Sequence, residues 1–159
     1  MKTAEDAEDA EEIGAKRFVA SPNRMHIDEI TGAVVDCAMR VHTVLGPGML
    51  ESVYEKCLRH ELIKHGFRVQ AQVWLPVIYD GVEIEGGYKI DLFVESCVIV
   101  ELKVVEKILE VHRAQLLSYF KLSNKQVGLL LNFNVVHFRD GIRRVVNGYC
   151  PANAPVSVG

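Results

Sequence analysis

The stretch "YKIDLFVESCVIVELKVVEK", Tyr88 to Lys107, decides how this chain is read. It alternates like two strands about a short turn at Glu95-Ser96-Cys97, yet Asp91, Glu101 and Lys103 stand among Ile, Leu, Phe and Val. Such residues are almost never fully buried unless paired, and an uncompensated charge is costly in a core. Val98-Ile99-Val100 before Glu101 and Val104-Val105 after it mark the second strand as central and apolar on both faces. The hairpin therefore carries charges where a core strand excludes them.

With the turn centred on Ser96, Asp91 and Glu101 each lie five residues away, which sets them opposite one another on neighbouring strands. Opposed Cβ atoms on one face are about 4.5–5.5 Å apart. Two carboxylates so close repel, and one is driven to protonate unless a cation lies between them. Mg²⁺ prefers oxygen ligands and keeps several waters, which suits a two-carboxylate site with an open side. Glu101 and Lys103 are two apart and share a face, so Lys103 reaches the same site. An Asp, a Glu and a Lys around a hydrated cation form an apparatus for phosphodiester hydrolysis. The plainer alternative is a cross-strand ion pair on a solvated face, worth about 0–1 kcal/mol.

The flanking sequence predicts the elements that would carry this hairpin. Ile27, Ile30, Val34, Cys37, Val41 and Val44/Leu45 follow helical spacing over 27–45, with Asp28 and Glu29 in the first turn, where the helix dipole favours acids. "GPG", Gly46 to Gly48, breaks the chain, and a second helix is expected over 49–65, ended by Gly66. The period then changes to two: about three strands follow, with hairpin turns at Asp80-Gly81 and at Glu95-Ser96-Cys97. A third helix fits 109–122, "QVGLLLNF" reads as a buried strand, and "VVHFRDGIRRVV" reads as a terminal hairpin around Asp140-Gly141. The order predicts an α+β fold with helices covering a mixed central sheet.

Composition bounds the partners. The 159 residues are 49% hydrophobic, enough for one core, and no apolar run approaches the length of a membrane span. Residues 1–22 read as an acidic, disordered extension, 23–149 as a single domain and 150–159 as a loose tail. The net charge of −3 comes from that head: beyond residue 14 the chain has 17 Lys and Arg against 15 Asp and Glu. Arg139, Arg143 and Arg144, with Lys121 and Lys125, put bases in the second half, as a solvated face or as phosphate contacts. Cys37, Cys57, Cys97 and Cys150 are widely spaced with no CxxC pair, which predicts reduced thiols and, with the polar start, a cytoplasmic protein.

Asp91 with "ELK", Glu101 to Lys103, resembles the PD-(D/E)xK nuclease signature, with Ile90 in place of its proline. "GMLESVY", Gly48 to Tyr54, is similar to the motif that names the GxxExxY family of that superfamily, and the likeness runs through "AQLLSY" and "VGLLLNF" to Ile142. The resemblance implies a restriction-endonuclease-like core and a Mg²⁺- or Mn²⁺-dependent nuclease acting on DNA or RNA. It implies Asp91 and Glu101 as metal ligands with the Leu102 carbonyl as a third, and Glu51 completing the shell directly or through water. Lys103 would position or activate the attacking water. Gln115 and Tyr119, as "QLLSY", would bind substrate phosphate or hold Lys103 in place. Tyr54 is equally a packing residue, and His42 and His112 receive no role. The rivals are an inactive module that keeps the fold to bind nucleic acid or protein, and an interaction protein whose acidic head mimics nucleic acid. A chain this short has no separate recognition domain, so specificity would come from a homodimer or a partner protein.

Overall fold

A computed structural model describes residues 25–149, so the expected acidic extension and tail lie outside the described residues, as does Cys150. The architecture is α+β, as the element order predicts: three helices on a mixed five-stranded sheet. Helices α1 (Ile27–Leu45) and α2 (Glu51–Lys64) precede strands β1 (Val69–Tyr79), β2 (Val82–Val94) and β3 (Val98–Lys103). Helix α3 (Glu110–Ser123), β4 (Val127–Asn132) and β5 (Ile142–Val146) follow. The sheet order is β1-β2-β3-β4-β5, antiparallel except for β3 beside β4, whose parallel pairing is made possible by the α3 crossover.

The central strands are apolar on both faces because each face is covered. Leu92, Val94, Val98, Val100, Leu102, Leu129 and Leu131 pack with Ile30, Val34, Val41, Tyr54, Leu58 and Leu62 of α1 and α2. Ile90, Ile99, Leu130 and Val145 pack on the other face with Leu116, Tyr119 and Phe120 of α3. Each fully buried Leu, Ile or Val contributes roughly 1.5–3 kcal/mol, so this two-sided core fixes the register of β3 and β4. Among the described residues no helix is long and apolar enough to cross a membrane, and Cys37, Cys57 and Cys97 are free thiols.

Three local features explain the chain path. The GPG loop between α1 and α2 is closed by Tyr54, whose buried ring stacks on Phe133 with centroids 4.4 Å apart. Its hydroxyl donates to the Gly46 carbonyl and accepts from the Met49 N–H. Tyr54 is thus a packing and loop-holding residue. The β1–β2 hairpin turns at Asp80-Gly81 as expected, and Pro76, which has no N–H to give, lies on the edge strand where the pairing shifts between Leu75 and Val77.

The third feature is a correction. The terminal hairpin expected around Asp140-Gly141 is absent: a 3₁₀ turn, Phe138–Gly141, leads into β5, which pairs back onto β4 across the longer loop from Phe133. Gly141 packs so tightly against the end of β4 that a Cβ there would sit 2.1 Å from the Asn132 carbonyl oxygen. This close backbone approach, not a hairpin turn, explains the Asp-Gly pair.

Candidate active site

Asp91, Glu101 and Lys103 meet where β2 and β3 part. The register runs Val94↔Val98, Phe93↔Ile99 and Leu92↔Val100, and Asp91 and Glu101 are the next positions out along the two strands. The ladder stops there. The Asp91 carboxylate takes the place of a backbone acceptor, with Oδ2 receiving the Leu102 N–H at 2.9 Å. The N–H and C=O of a strand residue face the same neighbour, so the Leu102 carbonyl is directed to the same gap. Phe133 N–H binds the next carbonyl, that of Lys103, on the β4 side, which agrees with this alternation.

The carboxylates are buried: Asp91 is 8% exposed and Glu101 4%. This excludes the solvated-face ion pair. Burial, opposed by the Leu102 N–H, pushes the Asp91 carboxyl well above the usual range, and Glu55, then Glu51, push the same way. Burial and then the Asp91 charge push Glu101 up, with Lys103 opposing. Glu101 Oε1 faces Lys103 Nζ at 3.4 Å, a loose pairing, while its Oε2 is buried with no hydrogen-bond partner. The other such oxygen among the described residues, Glu61 Oε2, has His65 Nδ1 at 3.7 Å. A buried carboxylate oxygen left without a donor is the observation that asks for a cation.

Lys103 is held by a chain of hydrogen bonds from α3. Its ammonium donates to Gln115 Oε1 at 3.0 Å, Gln115 Nε2 donates to the Tyr119 hydroxyl at 2.8 Å, and Tyr119 donates to the Lys89 carbonyl at 3.2 Å. The chain has one direction. An ammonium only donates, so it takes the amide oxygen and leaves the amide nitrogen to the phenol. Burial, and next the Glu101 charge, raise the Tyr119 hydroxyl above its ordinary range, which keeps it a neutral donor. Gln115 and Tyr119 lie four apart on one face of α3, Gln115 in contact with Lys103 and Tyr119 in contact with Gln115.

Glu51 opens α2 directly after the GPG loop. Burial raises its carboxyl, the Lys103 charge lowers it and Glu55 raises it again, so it belongs to the same electrostatic cluster. Glu51 does not close a three-carboxylate shell with Asp91 and Glu101: among the described residues no three His, Cys, Asp or Glu side chains gather closely enough to hold a metal ion by themselves. Two carboxylates, a carbonyl and water remain, a donor set that fits Mg²⁺ or Mn²⁺. The carboxylates of Glu51, Asp91 and Glu101 each feel the Lys103 ammonium, and Glu55 acts on Asp91 and Glu51. The residues present fit a divalent cation.

Two residues of this region are absent from the sequence reading. Glu55, one turn after Glu51, acts on Asp91. Gln72 lies opposite Asp91 in the β1–β2 ladder, at a position where the pairing skips from Ala71↔Leu92 to Val73↔Ile90. Its φ is 55°, the left-handed region, which costs a non-glycine residue about 1–2 kcal/mol. Ala71 and Leu92 pack toward α1 and α2, whereas Val73 and Ile90 pack toward α3. Both strands change face at the Gln72–Asp91 pair. Glutamine gives no sequence signal for that conformation, so only the backbone reveals it.

His42, His112, Arg143 and Arg144 have their partners outside this cluster. His42 Nε2 lies 2.8 Å from the Val135 carbonyl and its ring stacks on Phe138, and His112 Nδ1 accepts the Leu109 N–H at the start of α3. Arg144 pairs with Asp28, and Arg143 donates to the Asp140 and Ile142 carbonyls. No curated protein and no solved structure matches the chain. A family model described as the PD-(D/E)XK nuclease superfamily matches residues 28–145, which contain every residue of the cluster.

Proposed function

The chain belongs to the PD-(D/E)XK nuclease superfamily, and from that premise we propose that it hydrolyses phosphodiester bonds of nucleic acid, DNA in the first instance, with Mg²⁺ or Mn²⁺. The observation that carries this reading is the buried Asp91–Glu101 pair at the parting of β2 and β3, with Glu101 Oε2 lacking a partner. Asp91, Glu101 and the Leu102 carbonyl would hold the cation, and Glu51 would reach it through water. When bound there, such an ion lowers the pKa of a water and stabilises charge on the phosphate.

The chain's own groups do the rest. Lys103, fixed between Glu101 and Gln115, orients the attacking water and offsets the charge that develops on the phosphate oxygens. Gln115 and Tyr119 hold the ammonium against the electrostatic pull of the acids. Water oxygen forms a new bond to phosphorus and releases a proton to solvent, and the bond from phosphorus to the departing sugar oxygen breaks, that oxygen taking a proton from solvent. The spacing of Gly48, Glu51 and Tyr54 supports a reading within the GxxExxY branch, in which Tyr54 fastens the loop that presents Glu51. Choice of sequence falls to a second copy or a partner protein.

The test is to incubate the purified chain with labelled single- and double-stranded DNA and RNA in Mg²⁺, Mn²⁺ or EDTA, beside Asp91→Asn. Cleavage that needs the metal and is lost in Asp91→Asn is expected. Folded wild-type protein that binds Mn²⁺ yet cleaves none of these substrates would support the inactive binding module instead.

A further inference from the structure

Helix α2 sends two carboxylates to this region, and they are four residues apart, hence on one face. Both act on Asp91, but Glu55 more strongly than Glu51. Glu51 feels Lys103 before any other side chain, while Glu55 is the strongest side-chain charge acting on Asp91. Glu55 is also the one with a fixed partner, since Gln72 Nε2 donates to its Oε2 at 2.7 Å. Gln72 comes from the edge strand, directly across the ladder from Asp91. It reaches Glu55 from a left-handed backbone, at the position where both strands change face.

A regular strand would turn residue 72 to one face of the sheet and keep the ladder closed over Asp91. The left-handed turn does two things at once: it interrupts the ladder beside Asp91 and directs an amide to α2. Strained backbone of this kind persists only where surrounding structure enforces it, and it collects at functional sites. The amide occupies one oxygen of Glu55. It leaves Oε1 with no hydrogen bond of its own among the described residues, while the buried Glu101 Oε2 is likewise without a partner.

We propose that Glu55, positioned by Gln72, is the α2 carboxylate that supports the Asp91 side of the cation site, through a bound water, and that Gln72 is a positioning residue for that site. Glu51 serves the Lys103 side. The inference rests on the metal-dependent reading of the site and adds to it which acids order the water shell and what fixes them. Outer partners of this kind change metal affinity by about 10–100-fold when removed.

The experiment is Mn²⁺ titration by calorimetry, with Mn²⁺ alone as probe and no substrate, on the wild-type chain, Asp91→Asn, Glu55→Gln, Gln72→Gly and the Glu55→Gln/Gln72→Gly double variant. Glycine accepts the left-handed φ without strain, so Gln72→Gly removes the amide and leaves the backbone path open. Glu55→Gln and Gln72→Gly are each expected to weaken Mn²⁺ about tenfold, with the double variant no weaker than the worse of the two, because both act through one carboxylate. Unfolding midpoints without metal within a few degrees of wild type separate this from a loss of fold. Gln72→Asn, which tolerates the same backbone but is one methylene short, is expected to bind like Gln72→Gly. Losses that add in the double variant, or wild-type affinity in Glu55→Gln and Gln72→Gly while Asp91→Asn loses binding, would overturn the inference and leave the metal site standing. Wild-type protein that binds no Mn²⁺ overturns both.

Discussion

Asp91 and Glu101 are held where a fold left to itself would place neither. Both carboxyls are raised first by burial, and Glu101 next by Asp91. For an acid with a raised folded pKa the native state binds more protons than the unfolded chain. Stability without metal therefore falls as pH rises from the ordinary carboxylate range through the raised values, and is regained on acidification. Glu101→Gln is expected to flatten that dependence and to raise metal-free stability by about 1–2 kcal/mol near neutral pH, read by urea unfolding at pH 5 and pH 8. Equal pH slopes in the two proteins would remove the electrostatic account. Tyr119→Phe tests the chain that holds Lys103. It leaves the Gln115 amide and the Lys89 carbonyl without their shared partner. Mn²⁺ affinity should stay unchanged while kcat drops about tenfold, a split that calorimetry beside single-turnover cleavage resolves.

The elements show which part of this was legible in the sequence. Helix α1 occupies the span its apolar spacing predicts, Ile27–Leu45, and α3 is displaced by one residue, because a long amphipathic face leaves few alternatives. The β2–β3 hairpin was legible for the same reason: a turn flanked by apolar alternation fixes the register from Val94↔Val98 to Leu92↔Val100, which leaves Asp91 and Glu101 as the next positions out. Asp140-Gly141 was not, since the same dipeptide serves a hairpin turn and a tight contact, and only tertiary packing separates them. Glu55 and Gln72 were hidden because a left-handed glutamine and a change of strand face have no local signal. Tyr54 links these elements. Tyr54→Phe removes both hydrogen bonds to the GPG loop. It is expected to cost about 1–2 kcal/mol in denaturant unfolding, with the loss carried by the loop that positions α2. Gly141→Ala, whose Cβ would meet the Asn132 carbonyl at 2.1 Å, should cost at least as much, about 1–3 kcal/mol.

At the scale of the whole molecule, three layers converge on one rim of the sheet. Helix α2 brings acids from one side, α3 brings Gln115 and Tyr119 from the other, and β2 and β3 open between them. The two-sided core that makes β3 rigid is what holds Glu101 buried and Lys103 half-buried, so the fold supplies the preorganisation that the proposed hydrolysis needs. In the proposed reaction Lys103 separates chemistry from cation binding, since its ammonium is no metal ligand. The direct measurement is the single-turnover cleavage rate of labelled DNA in Mg²⁺ by wild-type protein and by Lys103→Ala, with Mn²⁺ affinity measured on both. We predict that Lys103→Ala keeps Mn²⁺ binding within about threefold, or tightens it, and cleaves about 10²-fold or more slowly. Cleavage at the wild-type rate by Lys103→Ala would contradict the account.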